Sequence, residues 1–273
     1  MLLKIDDLEF NLLLDQSNLT SNKLPVLFLH GFTGCAEDWK FIFDKLPHGF
    51  YPIAIDLIGH GKSSKPESIE AYSTSANLLH INRVLAKLKI SKIILCGYSM
   101  GGRAAISFAL KYPHKIIAAV FESSTAGIED FEQKKERVEF DLLLADKIKL
   151  EGVESFLNYW LNTPMFESLK DATNVDALKS KRKQNDVIGL ANSLAGFSSG
   201  LMPSCWDKLD QINFPVLLIS GANDSKYTEI NKKMNSRIKN SKHIIVANSG
   251  HNVHLEKPDV FSKFVSEFLT TLN

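Results

Sequence analysis

The sequence predicts an α/β fold, a mostly parallel central sheet flanked by helices, with a helical cap inserted between two of its strands. Three observations predict it. Compact apolar runs recur along the chain: LPVLFLHG (24–31), YPIAIDLIGHG (51–61), KIILCGYS (92–99), KIIAAVFESS (115–124), FPVLLISGAND (214–224) and KHIIVANSGH (242–251). Helical patterns lie between them, as in SANLLHINRVLAKLKI (75–90) and GRAAISFALKY after Gly101. Apolar runs alternating with helices are what a parallel sheet covered on both faces requires. Finally, the alternation stops at residues 126–206, which read as charged helices with no strong strand signal.

Taken in order, residues 2–5 and LEFNLLLD (8–15) form two opening strands, and the six runs above supply the rest of the sheet. The inserted segment begins with EDFEQKKERVEFDLLLADKIKL and VESFLNYWL and continues into a more polar stretch containing SLAGFSSGLMPS. PDVFSKFVSEFLTTL (258–272) closes the chain as an amphipathic helix. Residues 1–125 and 207–273 are thus expected to form the core, and residues 126–206 a cap over one sheet edge.

With 44% hydrophobic and 23% charged residues, the 273-residue chain can bury a sizeable core. Its formal net charge of +1 lacks the electrostatic footprint of a nucleic-acid binder, so an anionic partner must be met by a local basic cluster. Cys35, Cys96 and Cys205 are widely spaced and form no metal-ligand pattern, which suits reduced thiols in the cytoplasm. The opening MLLKIDDLEFNLLLDQ mixes acids into its apolar run, unlike a signal peptide, and no stretch approaches the roughly 20 apolar residues of a membrane span. Neither a membrane nor a nucleic acid is an expected partner.

The chemistry concentrates in CGYSMGGR (96–103). Gly97-Tyr98-Ser99-Met100-Gly101 fits G-x-S-x-G, and it lies where that pattern has meaning, after an apolar strand and before a helix. Such a turn exposes the serine Oγ at a helix N-terminus, where developing negative charge is favoured. A serine needs a histidine oriented by a carboxylate. His251 follows the last strand in NSGHNVHLEKP, and Asp224 follows the preceding strand in GAND, giving the chain order Ser, Asp, His. Glu122, which also ends a strand, is the second candidate acid, and His254 the second candidate histidine. The N–H groups of Met100 and of Phe32, in His30-Gly31-Phe32, are the expected oxyanion-hole donors. His30, Asp56 and His60 are read as shaping their loops. Arg103 lies one helical turn after Ser99 and should lean back toward the pocket, since helical side chains tilt toward the N-terminus. Arginine binds carboxylates bidentately, so Arg103 points to an anion, or else to a salt bridge with a nearby acid.

Together these features resemble the α/β-hydrolase superfamily along the whole chain. LHGFTGCAEDW (29–39), DLIGHGKSS (56–64), GYSMGGR (97–103) and GHNVHLEKP (250–258) resemble more closely the 2-succinyl-6-hydroxy-2,4-cyclohexadiene-1-carboxylate (SHCHC) synthases of menaquinone biosynthesis. That family has the fold of esterases and the activity of a lyase. The resemblance implies that Ser99, with His251 and Asp224, removes a ring proton α to a succinyl carbonyl, and that pyruvate is expelled without cofactor or metal. It also implies further substrate contacts at Arg137 in KKERVEFD, Arg182 in KSKRKQN, Trp160 in NYWLNTPMF and Tyr98. Lys134 and Lys183 are the alternatives for the two cap arginines, and Trp160 and Tyr98 serve equally as apolar walls. A serine hydrolase acting on an ester, a thioester or a carbon–carbon bond would use the same triad covalently. A non-catalytic small-molecule receptor is the third reading of this sequence.

Overall fold

The computed structural model describes residues 1–272, the side chain of Asp171 excepted. Eight strands form one sheet: β1 (Leu2–Ile5), β2 (Leu8–Leu13), β3 (Leu24–Leu29), β4 (Phe50–Ile55), β5 (Ile93–Tyr98), β6 (Ile116–Glu122), β7 (Val216–Gly221) and β8 (Ser241–Val246). Their spatial order is β1-β2-β4-β3-β5-β6-β7-β8. β1 and β2 pair antiparallel, as do β2 and β4, and every other pairing is parallel. The expected strands are all present, most of them shorter by one to several residues at their ends.

The helices are α1 (Lys40–Phe43), α2 (Thr74–Lys87), α3 (Met100–Lys111), α4 (Phe131–Trp160), α5 (Glu167–Ala172), α6 (Val175–Arg182), α7 (Val187–Gly196), α8 (Ser225–Arg237), α9 (Val253–Glu256) and α10 (Pro258–Thr270). Apolar residues of α2, α3 and α8 pack on one face of the sheet around Leu27, Leu95 and Phe121. Trp39, the end of α1 and the apolar face of α10 pack on the other, around Phe28, Cys96 and Val120. Both faces are therefore buried, which explains why β3, β5 and β6 read as unbroken apolar runs.

Between β6 and β7 the chain leaves the sheet and forms α4 to α7, the cap. α4 is kinked at Gly152, whose φ of 81° and ψ of 170° interrupt the helix. The cap has its own small core, in which Leu144, Ile148 and Phe156 of α4 meet Leu190 and Leu194 of α7. Phe32, from the loop after β3, packs against this core and so links cap to sheet. Among the described residues no helix is long and apolar enough to cross a membrane.

The register of the strands positions the site. Tyr98 at the end of β5 lies opposite Glu122, and Glu122 lies opposite Ile219 of β7. The loops after β3, β5, β7 and β8 therefore emerge along one edge, beneath the cap.

Candidate active site

Ser99 is a one-residue joint between β5 and α3. Its φ of 49° and ψ of −107° are strained for a residue with a side chain, a cost of about 1–3 kcal/mol. Neighbouring backbone holds it there: its N–H donates to the Glu122 carbonyl at 2.9 Å, and its carbonyl accepts from the Arg103 N–H at 2.9 Å. The flanking glycines make the crossing possible. A Cβ on Gly101 would lie 2.3 Å from the Leu29 carbonyl oxygen, and one on Gly97 would lie 2.5 Å from the Gly101 oxygen. Strand and helix can approach this closely only without those side chains.

The elbow meets two loops. His251 Nε2 lies 2.9 Å from Ser99 Oγ, and His251 Nδ1 lies 2.6 Å from Asp224 Oδ2. An acceptor at Nδ1 fixes the neutral tautomer with its proton there, leaving Nε2 free to accept from the serine hydroxyl. Asp224 has a second task. Its Oδ1 accepts the Tyr227 N–H at 3.2 Å, which caps α8 and fixes the carboxylate.

The second candidates are placed elsewhere. Glu122 Oε1 accepts the His254 backbone N–H at 2.9 Å, and its two oxygens lie 3.0 and 2.9 Å from His254 Nδ1. The His254 ring stacks on Trp39 at 4.3 Å. This pair is fully buried, and neither of its side chains is bonded to Ser99, whose hydroxyl meets His251 instead.

A cavity of about 810 Å³ opens above Ser99, lined in part by Phe32, Met100, Arg103, Arg137, Trp160 and Tyr227. The Phe32 and Met100 N–H groups have no acceptor among the described residues, and both residues border the cavity beside Ser99. Arg103 is held rather than neutralised. It donates to the Phe197 carbonyl at 3.0 Å and lies over the Phe197 ring at 4.8 Å, with no carboxylate within 4.0 Å among the described residues. Burial, and then the neighbouring Arg137 charge, lower its pKa to about 10. Arg137 pairs through Nε with Asp141 at 2.8 Å and still reaches the cavity. Lys134 does not line it, and Lys183 pairs with Glu154 at 2.5 Å outside it. Trp160 lines the cavity, and its buried Nε1 has no protein acceptor among the described residues.

Two of the residues expected to contact substrate lie outside the main cavity. Arg182 is turned away from the cavity: it pairs with Asp38 at 2.6 Å and donates to the Thr33 carbonyl at 2.9 Å. A guanidinium buried at the seam of cap and core needs a fixed counter-ion, and Asp38 supplies it. Burial alone would raise the Asp38 carboxyl, but Arg182 and Lys181 outweigh burial and hold it well below the usual carboxylate range. Tyr98 likewise does not line the main cavity. Strand alternation puts it on the face of Ile94 and Cys96, where it packs against His251 and His254 at 5.4 and 4.7 Å.

Two other residues were not legible as part of the site. Tyr227 lines the cavity with its ring 4.5 Å from His251. Its place three residues after Asp224, in the first turn of a helix, is the only sequence signal for it. Glu256, five residues after His251, lies beneath the histidine loop.

The parallel sheet, the strained elbow and the order Ser99, Asp224, His251 define an enzyme of the α/β-hydrolase fold. The α/β hydrolase fold family matches residues 25–258. A Bacillus subtilis (strain 168) protein carrying the SHCHC synthase name is 42% identical over 249 residues, 90% of each chain. The SHCHC synthase of Enterobacter sp. (strain 638) is 30% identical over 89% of this chain and 91% of its own. Among solved structures, MenH from S. aureus superposes with a TM-score of 0.89 at 30% identity, covering 96% of this chain and 98% of that one. The chain belongs to the α/β-hydrolase family and, within it, to the SHCHC synthases.

Proposed function

We propose that this chain is a carbon–oxygen lyase of menaquinone biosynthesis. It converts 2-succinyl-5-enolpyruvyl-6-hydroxy-3-cyclohexene-1-carboxylate into SHCHC and pyruvate, with residues 1–125 and 207–273 as catalytic core and residues 126–206 as cap. The cytoplasm is its proposed compartment, in keeping with three free thiols.

Ser99 Oγ, hydrogen-bonded to His251 Nε2, takes the ring proton α to the succinyl carbonyl while its own proton passes to the imidazole. Asp224 holds Nδ1–H and stabilises the imidazolium that forms. Negative charge develops on the succinyl carbonyl oxygen, where the Met100 and Phe32 N–H groups receive it. Electrons return through the ring and the carbon–oxygen bond to the enolpyruvyl group breaks; the enolate of pyruvate that leaves takes up the imidazolium proton, which gives pyruvate and restores neutral His251 beside the Ser99 hydroxyl. Arg103 and Arg137, with the Tyr227 hydroxyl beside them, bind the substrate carboxylates. Trp160 forms a wall and offers its free indole N–H.

Arg103 carries this reading. A guanidinium one turn from the serine, open to the cavity and without a carboxylate partner, is costly unless the substrate brings an anion. A neutral acyl group would not repay it. The test is to supply the enolpyruvyl substrate and follow pyruvate through a coupled lactate dehydrogenase assay. Pyruvate release abolished by Ser99→Ala is the expected result. No pyruvate, with a burst of acyl-enzyme from simple esters, would establish a serine hydrolase instead.

A further inference from the structure

His251 is placed by two carboxylates, and only one of them touches its ring. The loop from Ser249 to Asn252 is buried, and its residues wrap around Glu256, which is itself 5% exposed. Glu256 Oε2 accepts the Gly250 N–H at 2.7 Å, and Oε1 accepts the Asn252 N–H at 3.2 Å. The first belongs to the Ser249–Gly250 peptide and the second to the His251–Asn252 peptide, so they bracket His251 and the one peptide that precedes it. Ser249 Oγ also lies 3.4 Å from Oε2. The backbone is therefore gripped before and after the histidine by one rigid group. Holding the backbone on both sides restricts where the His251 Cα can lie, and Asp224 and Ser99 then settle its side-chain torsions.

The cap joins the same carboxylate. Ser168 of α5 donates to Glu256 Oε2 at 2.8 Å. Gly250 makes room for it: a Cβ there would lie 2.9 Å from Ser168 Cβ and 3.2 Å from Glu256 Oε1. Glu256 has no cationic partner within 4.0 Å among the described residues, so its charge is balanced by these donors alone.

From this geometry we infer that Glu256 is the positioning residue of the triad, setting the height and angle of His251 by holding the N–H groups of Gly250 and Asn252. It touches neither substrate nor reacting atoms. The assignment depends on the triad and not on which reaction the triad performs. An amide at this position can accept from one of the two peptides but must turn its NH₂ toward the other, so one grip is lost. A displacement of the order of 1 Å in a catalytic group costs about 100-fold in rate.

The experiment measures the rate at which a fluorophosphonate labels Ser99, which reads triad competence without a natural substrate. In folded Glu256→Gln, labelling is expected to slow about 10- to 100-fold, and the far-downfield Nδ1–H proton resonance of His251 to broaden or vanish. Glu256→Asp keeps the charge but is one methylene too short to span both peptides, and it is expected to behave alike should the glutamine variant not fold. Ser168→Ala keeps both peptide grips and should label within about twofold of wild type. Wild-type labelling in folded Glu256→Gln or Glu256→Asp would overturn the assignment. So would a loss in Ser168→Ala as large as that in Glu256→Gln, because the cap and not the peptide grip would then place His251.

Discussion

Glu122 and His254, each with a sequence claim to the triad, are bonded to each other. The Glu122 carboxylate takes both the His254 backbone N–H and its ring Nδ1, in a site with no solvent access. The same strand end contributes the Glu122 carbonyl that anchors Ser99. This second acid–histidine pair therefore braces the end of β6 against the loop that carries His251, while Asp224 alone reaches the His251 ring.

The two acids should separate in mutagenesis. Asp224→Asn leaves the packing intact but favours the wrong imidazole tautomer, so pyruvate release should fall by about 10³- to 10⁴-fold with little loss of stability. Glu122→Ala leaves buried donors of His254 unpaired, and should cost about 2–4 kcal/mol in urea unfolding while the folded enzyme retains most of its turnover. Loss of turnover in Glu122→Ala equal to that in Asp224→Asn, at matched stability, would contradict this division.

The same contrast holds for two arginines. Arg103→Ala removes a cation that faces the cavity, and kcat/KM for the enolpyruvyl substrate should drop by about 10- to 150-fold, the worth of a charge-assisted hydrogen bond. Its unfolding midpoint should change little. Arg182→Ala takes the closer of two cations from buried Asp38 and leaves it Lys181 at 2.9 Å, and should destabilise the fold by about 1.5–3 kcal/mol. Steady-state kinetics and urea unfolding on both variants check the assignment. A stability loss in Arg103→Ala larger than that in Arg182→Ala would reverse it.

Why the placement of one arginine is legible in the sequence and that of the other is not is a matter of range. Ser99 and Arg103 are related by one helical turn, and helix geometry fixes their common direction. The eight strands were legible for a similar reason, because a doubly covered parallel strand is a continuous apolar run. Arg182 depends on Asp38, which is distant in sequence and reaches it only after the cap docks on the loop following β3. No local pattern encodes that meeting. Tyr98 flanks Ser99 in the sequence, but alternation along β5 carries it into the opposite core and out of the main cavity. The helix at α7 was also obscure: VIGLANSLAG is buried on nearly all sides, so it has no polar face to mark its period.

Tyr227→Phe isolates one hydroxyl. The phenol lines the same cavity as Arg103 and Arg137, and burial raises its pKa against the opposing pull of those two charges. Without the hydroxyl the ring still packs on His251. The expected result is a rise in KM of about 3- to 10-fold, the worth of one hydrogen bond, with an unchanged unfolding midpoint. An unaltered KM and kcat would reduce Tyr227 to a wall.

Acid should weaken the fold through two buried histidines beneath the oxyanion loop. His30 donates from Nδ1 to the Gly31 carbonyl at 2.7 Å and accepts the Leu57 N–H at Nε2, at 3.0 Å. Both nitrogens are committed to the neutral ring, and a proton on Nε2 would face a donor. Burial lowers the pKa of His30, and burial reinforced by His30 places that of His60 well below its usual value. In the unfolded chain both titrate near 6.5. Above that pH neither state binds the protons, so the stability is fully present. Below it the unfolded chain takes up protons that the folded chain refuses, and the stability falls by up to about 1.4 kcal/mol per pH unit for each histidine. Urea unfolding should therefore show a loss of roughly 1–3 kcal/mol between pH 6 and pH 5, before the carboxylates titrate. His60→Phe, which cannot protonate, should flatten part of that slope. An unfolding free energy independent of pH over this interval in the wild-type chain would show that the two rings accept protons without leaving the fold.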